Sequence, residues 1–319
     1  MDRLKRGSAP ISAEAWKEID EAARDVVKNM LAARKVLKVN GPKGWEFNAV
    51  NEGRLTNVDT PKDMEVCSGV YSVQPLTEAR VSFELSKWEL DNIERGAKDP
   101  DLDNLETAVE RLALFEEDAI YNGLEKGMIE GLIPAAEHNL SLAGDGNAVL
   151  QAIGEAKYAL MNAYVEMPYD LIVSREVYDH INVIFEGEHL MKRIRALTGG
   201  EIYRAKRLEG ALLLPHRDDD LEFTVGQDYA IGYEAETTQN VRLFASLSFT
   251  LRVLDPKRSC TLRWEKPKKR KPQKKHKLHH RPARESSAGF LCATGVYKTI
   301  LIRYTIRTGI SRQNYMTGE

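Results

Sequence analysis

Glu186-Gly187-Glu188-His189 contains the spacing Glu-x-x-His, which on a helix sets a carboxylate and an imidazole on one face, as a di-iron site requires. Such a site also needs a second copy and two more glutamates on long helices, and Gly187 disfavours the helix. The stretch therefore reads as a surface loop. His216-Arg217-Asp218-Asp219-Asp220 could be imagined as a cation site, but three adjacent carboxylates between two apolar strands read as a solvated hairpin turn. Gly144-Asp145-Gly146 lacks the Lys-Ser/Thr that completes a phosphate loop. Ser174, beside Arg175, lacks the Gly-x-Ser-x-Gly elbow of a nucleophile, and no His-Glu-x-x-His occurs. No catalytic group, metal or other cofactor is proposed by these residues, and the chain does not read as an enzyme. Trp45 and Trp88 lie next to acidic residues and could stack a planar ligand such as a flavin; the competing role is that of interface or core anchors.

The elements that would position these groups follow from periodicity. Trp16, Ile19, Ala23, Val26, Val27, Met30 and Leu31 are spaced by three and four, with Ser12 placed to cap the start, so an amphipathic helix is predicted that closes before Gly41-Pro42. The polar stretch 51–72 has too few apolar residues to form its own core. It is expected to be an extended hairpin that needs a neighbour, with a disordered loop as the alternative. Ala79, Val81, Phe83 and Leu85 alternate as a half-buried strand does. Asp103 and Glu106 resemble a capping box opening a long helix, whose face is Leu105, Val109, Leu112, Phe115, Ala119 and Ile120. Shorter pieces follow: a helix over 147–161, an apolar strand over 171–173, a helix near 176–185 and a strand over 212–214. Val241, Leu243, Ala245, Leu247, Phe249, Leu251 and Val253 then alternate without a break, which predicts one long strand over 241–254.

Composition narrows the class. With 319 residues, 42% of them hydrophobic, the chain is large enough for a real core. The net charge of -2 conceals an asymmetry: residues 257–319 hold 17 Lys/Arg against 3 acidic residues, leaving 29 basic and 45 acidic residues before them. An acidic body repels nucleic acid, while a basic tail attracts polyanions without sequence preference. Arg263 to Arg284 is dense enough in charge to be expected disordered. Residues after Pro256 read as a shifted reading frame or fused sequence, with a genuine basic extension as the alternative. Cys67, Cys260 and Cys292 are too few and too scattered for a disulfide framework, which fits a reducing compartment. No secretory h-region and no run of about 18 apolar residues is present, so a cytoplasmic location is expected.

Several separated segments together resemble the encapsulin family, the linocin/maritimacin-type group. They are Ala9-Pro10, Trp16-Lys17-Glu18-Ile19-Asp20, Ala33-Arg34-Lys35, Gly41-Pro42-Lys43-Gly44-Trp45-Glu46, Trp88-Glu89-Leu90-Asp91-Asn92-Ile93-Glu94-Arg95-Gly96, Gly226-Gln227-Asp228-Tyr229-Ala230-Ile231-Gly232-Tyr233-Glu234 and Val241-Arg242-Leu243-Phe244. The resemblance implies an α+β fold of the Hong Kong 97 phage-capsid type. It divides the chain into a peripheral domain over 1–50, 73–131 and 225–256, an extended loop over 51–72, an axial domain over 132–224 and an atypical tail over 257–319. It also implies an icosahedral shell built from copies of the chain. Such shells enclose enzymes, commonly dye-decolourising peroxidases or ferritin-like proteins, through a C-terminal peptide of the cargo. The family's docking surface corresponds to Val27, Leu31, Arg34, Lys38 and Ile231, with Lys38 standing where the family often has an acidic residue. The competing roles are the capsid subunit of an integrated phage and a bacteriocin or protease.

Overall fold

The computed structural model describes residues 3–58 and 68–265. The chain opens with helix α1 (Ala13–Met30), capped by Ser12, whose side chain accepts from the Ala15 amide. A one-turn helix α2 (Ala33–Val36) and strand β1 (Lys38–Asn40) follow, then β2 (Ala49–Val58), β3 (Ser68–Pro75) and β4 (Thr77–Ser86). Helix α3 (Lys87–Glu94) leads to the 20-residue α4 (Asp103–Asn122). The capping box expected there does not form, because Asp103 is already helical and the Asp101 carboxylate accepts from its amide. Next come α5 (Leu132–Ala135), β5 (His138–Leu142), α6 (Gly146–Asn162), β6 (Tyr169–Val173), α7 (Arg175–Ile181), β7 (Ile184–Phe185), β8 (Glu188–His189), α8 (Leu190–Thr198), β9 (Gly199–Arg204) and β10 (Ala211–Pro215). The described chain ends with β11 (Leu221–Val225), β12 (Ala230–Glu236), β13 (Asn240–Val253) and β14 (Cys260–Trp264).

The 14-residue β13 organises the first sheet. It pairs with β4 along one edge and with β12 and then β11 along the other, and β1 adds to β11. Pairing with two successive strands on one edge explains its length. Its apolar alternation, Val241 to Leu251, faces α1 and α4 in the main core. The opposite face, Ser246, Ser248 and Thr250, is buried as well. Two of these hydroxyls find partners: Gln74 donates to Thr250 at 3.1 Å and the Gln227 amide to Ser248 at 2.8 Å.

The second sheet runs β5-β14-β10-β6-β9. Every residue of β6 and β10 is buried, because α6, α7 and α8 cover one face while Ile172, Leu212 and Leu214 reach the main core on the other. Burial on both faces is why these strands read as continuous apolar runs. Strand β14 is parallel to β5 and antiparallel to β10, so it completes the middle of the sheet.

Two expected boundaries move. The order of the chain does not stop at 257: Cys260 and Leu262 are core residues and β14 pairs with β5 and β10, so 257–265 packs into the second sheet and is not disordered. The stretch 132–224 does not end as one lobe, because Leu221–Val225 pairs with β13 in the first sheet. The polyanion-binding reading of the tail falls on 266–319, outside the described residues.

The hairpin expected over 51–72 is present as the antiparallel pair β2–β3, reaching from Ala49 to Pro75. Leu55, Val70, Tyr71 and Val73 are exposed along it.

Candidate functional site

Helix α1 ends at Met30, and the chain turns through Leu31 and Ala32 into α2. Adjacent glutamates of α4 hold this elbow. Glu117 Oε1 accepts from the Ala33 amide at 2.8 Å, satisfying an amide at the start of α2 that has no partner within the helix. Glu116 takes two bonds from the Arg34 guanidinium, 2.6 Å from Nε and 2.8 Å from Nη2, while Arg34 Nη1 donates to Asp228 at 2.8 Å. The Tyr229 hydroxyl donates to Glu116 at 3.0 Å and the Tyr121 hydroxyl to Glu117 at 2.8 Å. Neither glutamate reaches solvent, and a buried carboxylate is tolerable only when so fully partnered.

Burial pushes the Glu116 carboxyl up, with Arg34 opposing it. Burial raises Glu117 to about 7 despite the bonds from Ala33 and Tyr121. The Tyr121 and Tyr229 hydroxyls are raised by burial and then by these carboxylates. Burial works against the Arg34 charge, but Glu116 and Asp228 outweigh it and hold its pKa above the ordinary value. Arg34 is thus a fixed cation on a short, clamped helix.

In front of Arg34 lies a cavity of about 450 Å³ between α1 and β12. Val27, Arg34 and Ile231 line it together with Ala23, Val109, Asp228 and Tyr229, so three of the five residues expected at a docking surface meet there. The other two do not. Leu31 has left the helix and points inward, 4% exposed, against Met30 and Ala113. Lys38 lies beyond α2 on β1, where it is exposed and pairs with Asp219. At the other end of the cavity Arg6 bridges Asp20 and the Ile231 carbonyl.

Residues 1–250 match the family model described as encapsulating protein for peroxidase. A type 1 encapsulin shell protein of Rhodospirillum rubrum is 37% identical over 271 residues, which cover 82% of this chain and 97% of the relative. This chain belongs to the encapsulin family. Among solved structures, a virus-like particle from Pyrococcus furiosus superposes with a TM-score of 0.58 at 18% identity, covering 78% of this chain and 100% of that one. The capsid of Myoviridae phage XM1 follows at a TM-score of 0.50 and 12% identity, covering 70% and 88%. These likenesses establish the Hong Kong 97-type capsid fold, α+β in class.

The remaining candidates take structural places in this encapsulin. Glu186 and Gly187, both with positive φ, form the two-residue turn of the β7–β8 hairpin, so Glu186 and His189 share no helix face; Glu186 pairs with Arg193 and Glu188 with Lys192. Asp145 caps α6 and Ser174 caps α7. Trp88 is 70% exposed on α3 with Arg95 above its ring, and Trp45 is half-buried beneath Arg3, so the structure does not bring the two tryptophans together.

The stretch 216–220 is an exposed turn, as expected, but it does not join a hairpin. Strands β10 and β11 belong to different sheets, and the segment between them is the crossing point. There Arg258 binds Asp218, Asp220 and Asp255, and His216 meets the buried Asp170 at 2.5 Å. Periodicity could not find Glu116, Glu117 or Arg258, since a charged residue on a helix face or after a strand reads as solvated until its partner from a distant segment is known.

Proposed function

We propose that copies of this encapsulin chain close into an icosahedral shell and hold an enclosed enzyme by docking one of its peptides in the cavity between α1 and β12. Docking rests on a single observation: Val27 and Ile231 supply apolar wall beside Arg34, whose charge Glu116 and Asp228 hold in place. An apolar slot with one immobile cation suits an extended peptide that pockets alternate side chains and satisfies one polar group. The family description supports a peroxidase as cargo, and a ferritin-like enzyme is the second candidate. The role is structural, not catalytic, and we place the shell in the cytoplasm on the scattered cysteines.

Closure is supported by the β2–β3 hairpin, whose exposed Leu55, Val70, Tyr71 and Val73 form apolar surface that contact with a second copy would bury. We assign the first sheet with α1 and α4 to the peripheral domain and the second sheet with α6, α7 and α8 to the axial domain.

Val27→Asp tests the docking. Val27 is half-buried at the cavity wall, so a charge there is expected to leave particles of normal size by negative-stain microscopy while the copurifying protein disappears from them. Particles with a full complement of that protein would place the docking surface elsewhere.

A further inference from the structure

Strand β12 bonds to β13 along one edge only, and its other edge is already occupied from within the chain. The segment just before α1 lies on it. The Tyr233 amide donates to the Leu4 carbonyl at 2.8 Å, and the Ile231 carbonyl accepts from Arg6 Nε at 2.9 Å. Gly232, between them, lets the chains approach closely: a Cβ there would lie 3.0 Å from the Leu4 carbonyl oxygen and still closer to the Phe244 ring. Two arginines pin the segment at its ends. Arg3 stacks over Trp45 at 4.5 Å, and Arg6 stacks over Trp16 at 4.3 Å while pairing with Asp20.

Arg6 lines the docking cavity on one side and, on the other, a second hollow of about 450 Å³ along α1 beside Trp16, Lys17 and Arg24. It therefore divides what would otherwise be one longer groove. None of residues 3–8 is buried, so the segment can leave without opening the core.

We propose that Arg3–Ser8 is a displaceable strap, and that an extended peptide of the enclosed protein takes its place as an added strand on the β12 edge. The inference rests on the docking reading above. An exposed strand edge with outward amide and carbonyl groups binds any extended chain through its backbone, and side-chain pockets supply the selectivity. Leu4 and Arg6 use the same Tyr233 and Ile231 groups that an incoming strand would use, so strap and peptide cannot both be seated. Docking is then an exchange of one edge partner for another, and releasing the strap strengthens it.

The test uses full-chain shells purified from the native host, with the protein they carry as the probe, beside empty shells of the same chain. Hydrogen exchange over residues 3–8 is expected to be about tenfold faster in loaded shells, with the Tyr233 amide protected in both. Equal or slower exchange of the segment on loading means a fixed wall and overturns the proposal. Arg6→Ala is expected to raise the ratio of carried protein to shell about twofold; a ratio at or below wild type overturns it. The docking reading is measured separately by Ile231→Asp. Shells of that variant carrying their full complement refute docking at this cavity, whereas empty ones with unchanged strap exchange in the wild-type comparison refute the strap alone.

Discussion

Arg258 Nη1 lies 3.0 Å from Asp218 Oδ2, which ties the segment before β14 to the crossing between the two sheets, forty residues away in the chain. The same guanidinium reaches Asp220 at 2.9 Å and Asp255 at 3.3 Å. Three carboxylates this close repel one another without a shared cation. Arg258→Ala is therefore expected to lower stability by about 2 kcal/mol, between the values for exposed and fully buried pairs, read as a fall in the thermal midpoint. Arg258→Lys, which cannot bond to three partners in one plane, should recover only part of it.

A chain stopped after Glu265 is expected to keep the wild-type thermal midpoint. One stopped after Asp255 lacks β14, leaves β5 and β10 without their shared neighbour and removes Cys260 and Leu262 from the core. It should be insoluble or lack the near-ultraviolet circular dichroism of fixed side chains. Equal behaviour of the two truncations would mean that β14 adds nothing to the sheet.

Stability should fall as the pH rises from 4.5 to about 7, because burial raises the Glu117 carboxyl to about 7 from an ordinary 4.5. Over that window the folded chain keeps a proton that the unfolded chain has lost; above it both are ionised and the loss is complete. The difference corresponds to about 3 kcal/mol. Burial pushes the neighbouring Glu116 the same way, against Arg34. Glu117→Gln still accepts from the Ala33 amide and can donate to Tyr121, so denaturation at several pH values should show a flatter profile and a more stable protein above neutrality. A wild-type slope in the variant would mean that Glu117 is ionised throughout.

Leu31 and Val27 should separate packing from docking. Leu31 lies in the small core beneath the cavity, 4% exposed, and Leu31→Ala is expected to cost about 3 kcal/mol while the retained protein is unchanged. Quantifying that protein per shell, beside the melting temperature, distinguishes it from Val27→Asp.

The β2–β3 hairpin should matter to assembly and little to the folding of one subunit. Val70 and Tyr71 are 61% and 71% exposed on it. Replacing both with aspartate is expected to change subunit stability by under about 1 kcal/mol and to abolish particles in light scattering. Particles of normal size would show that shells close without this apolar surface.

Much of the fold was legible because its signals are local. Ser12 with the three-and-four spacing from Trp16 marks α1, and seven apolar residues at alternate positions mark β13. β14 escaped for an equally plain reason: Cys-Thr-Leu-Arg-Trp is short and bordered by lysines and arginines, and only its slot between β5 and β10 makes it a strand. The proposed docking surface was half legible. Val27 and Leu31 are one helical turn apart, so spacing places them on one face, but α1 stops at Met30 and Leu31 turns into the core.

By its own pattern the sequence determined where the long helices and strands lie, that the polar stretch 51–72 has too few apolar residues for a core of its own, and which family the chain resembles. Those properties follow from residue types a few positions apart, where periodicity and capping act. Tertiary structure alone decided that Glu116 clamps Arg34, that Arg258 gathers three aspartates and that Leu4 and Arg6 cover the edge of β12. Each joins segments distant in the chain, and a charge or an edge amide acquires its role only from the group that folding places beside it.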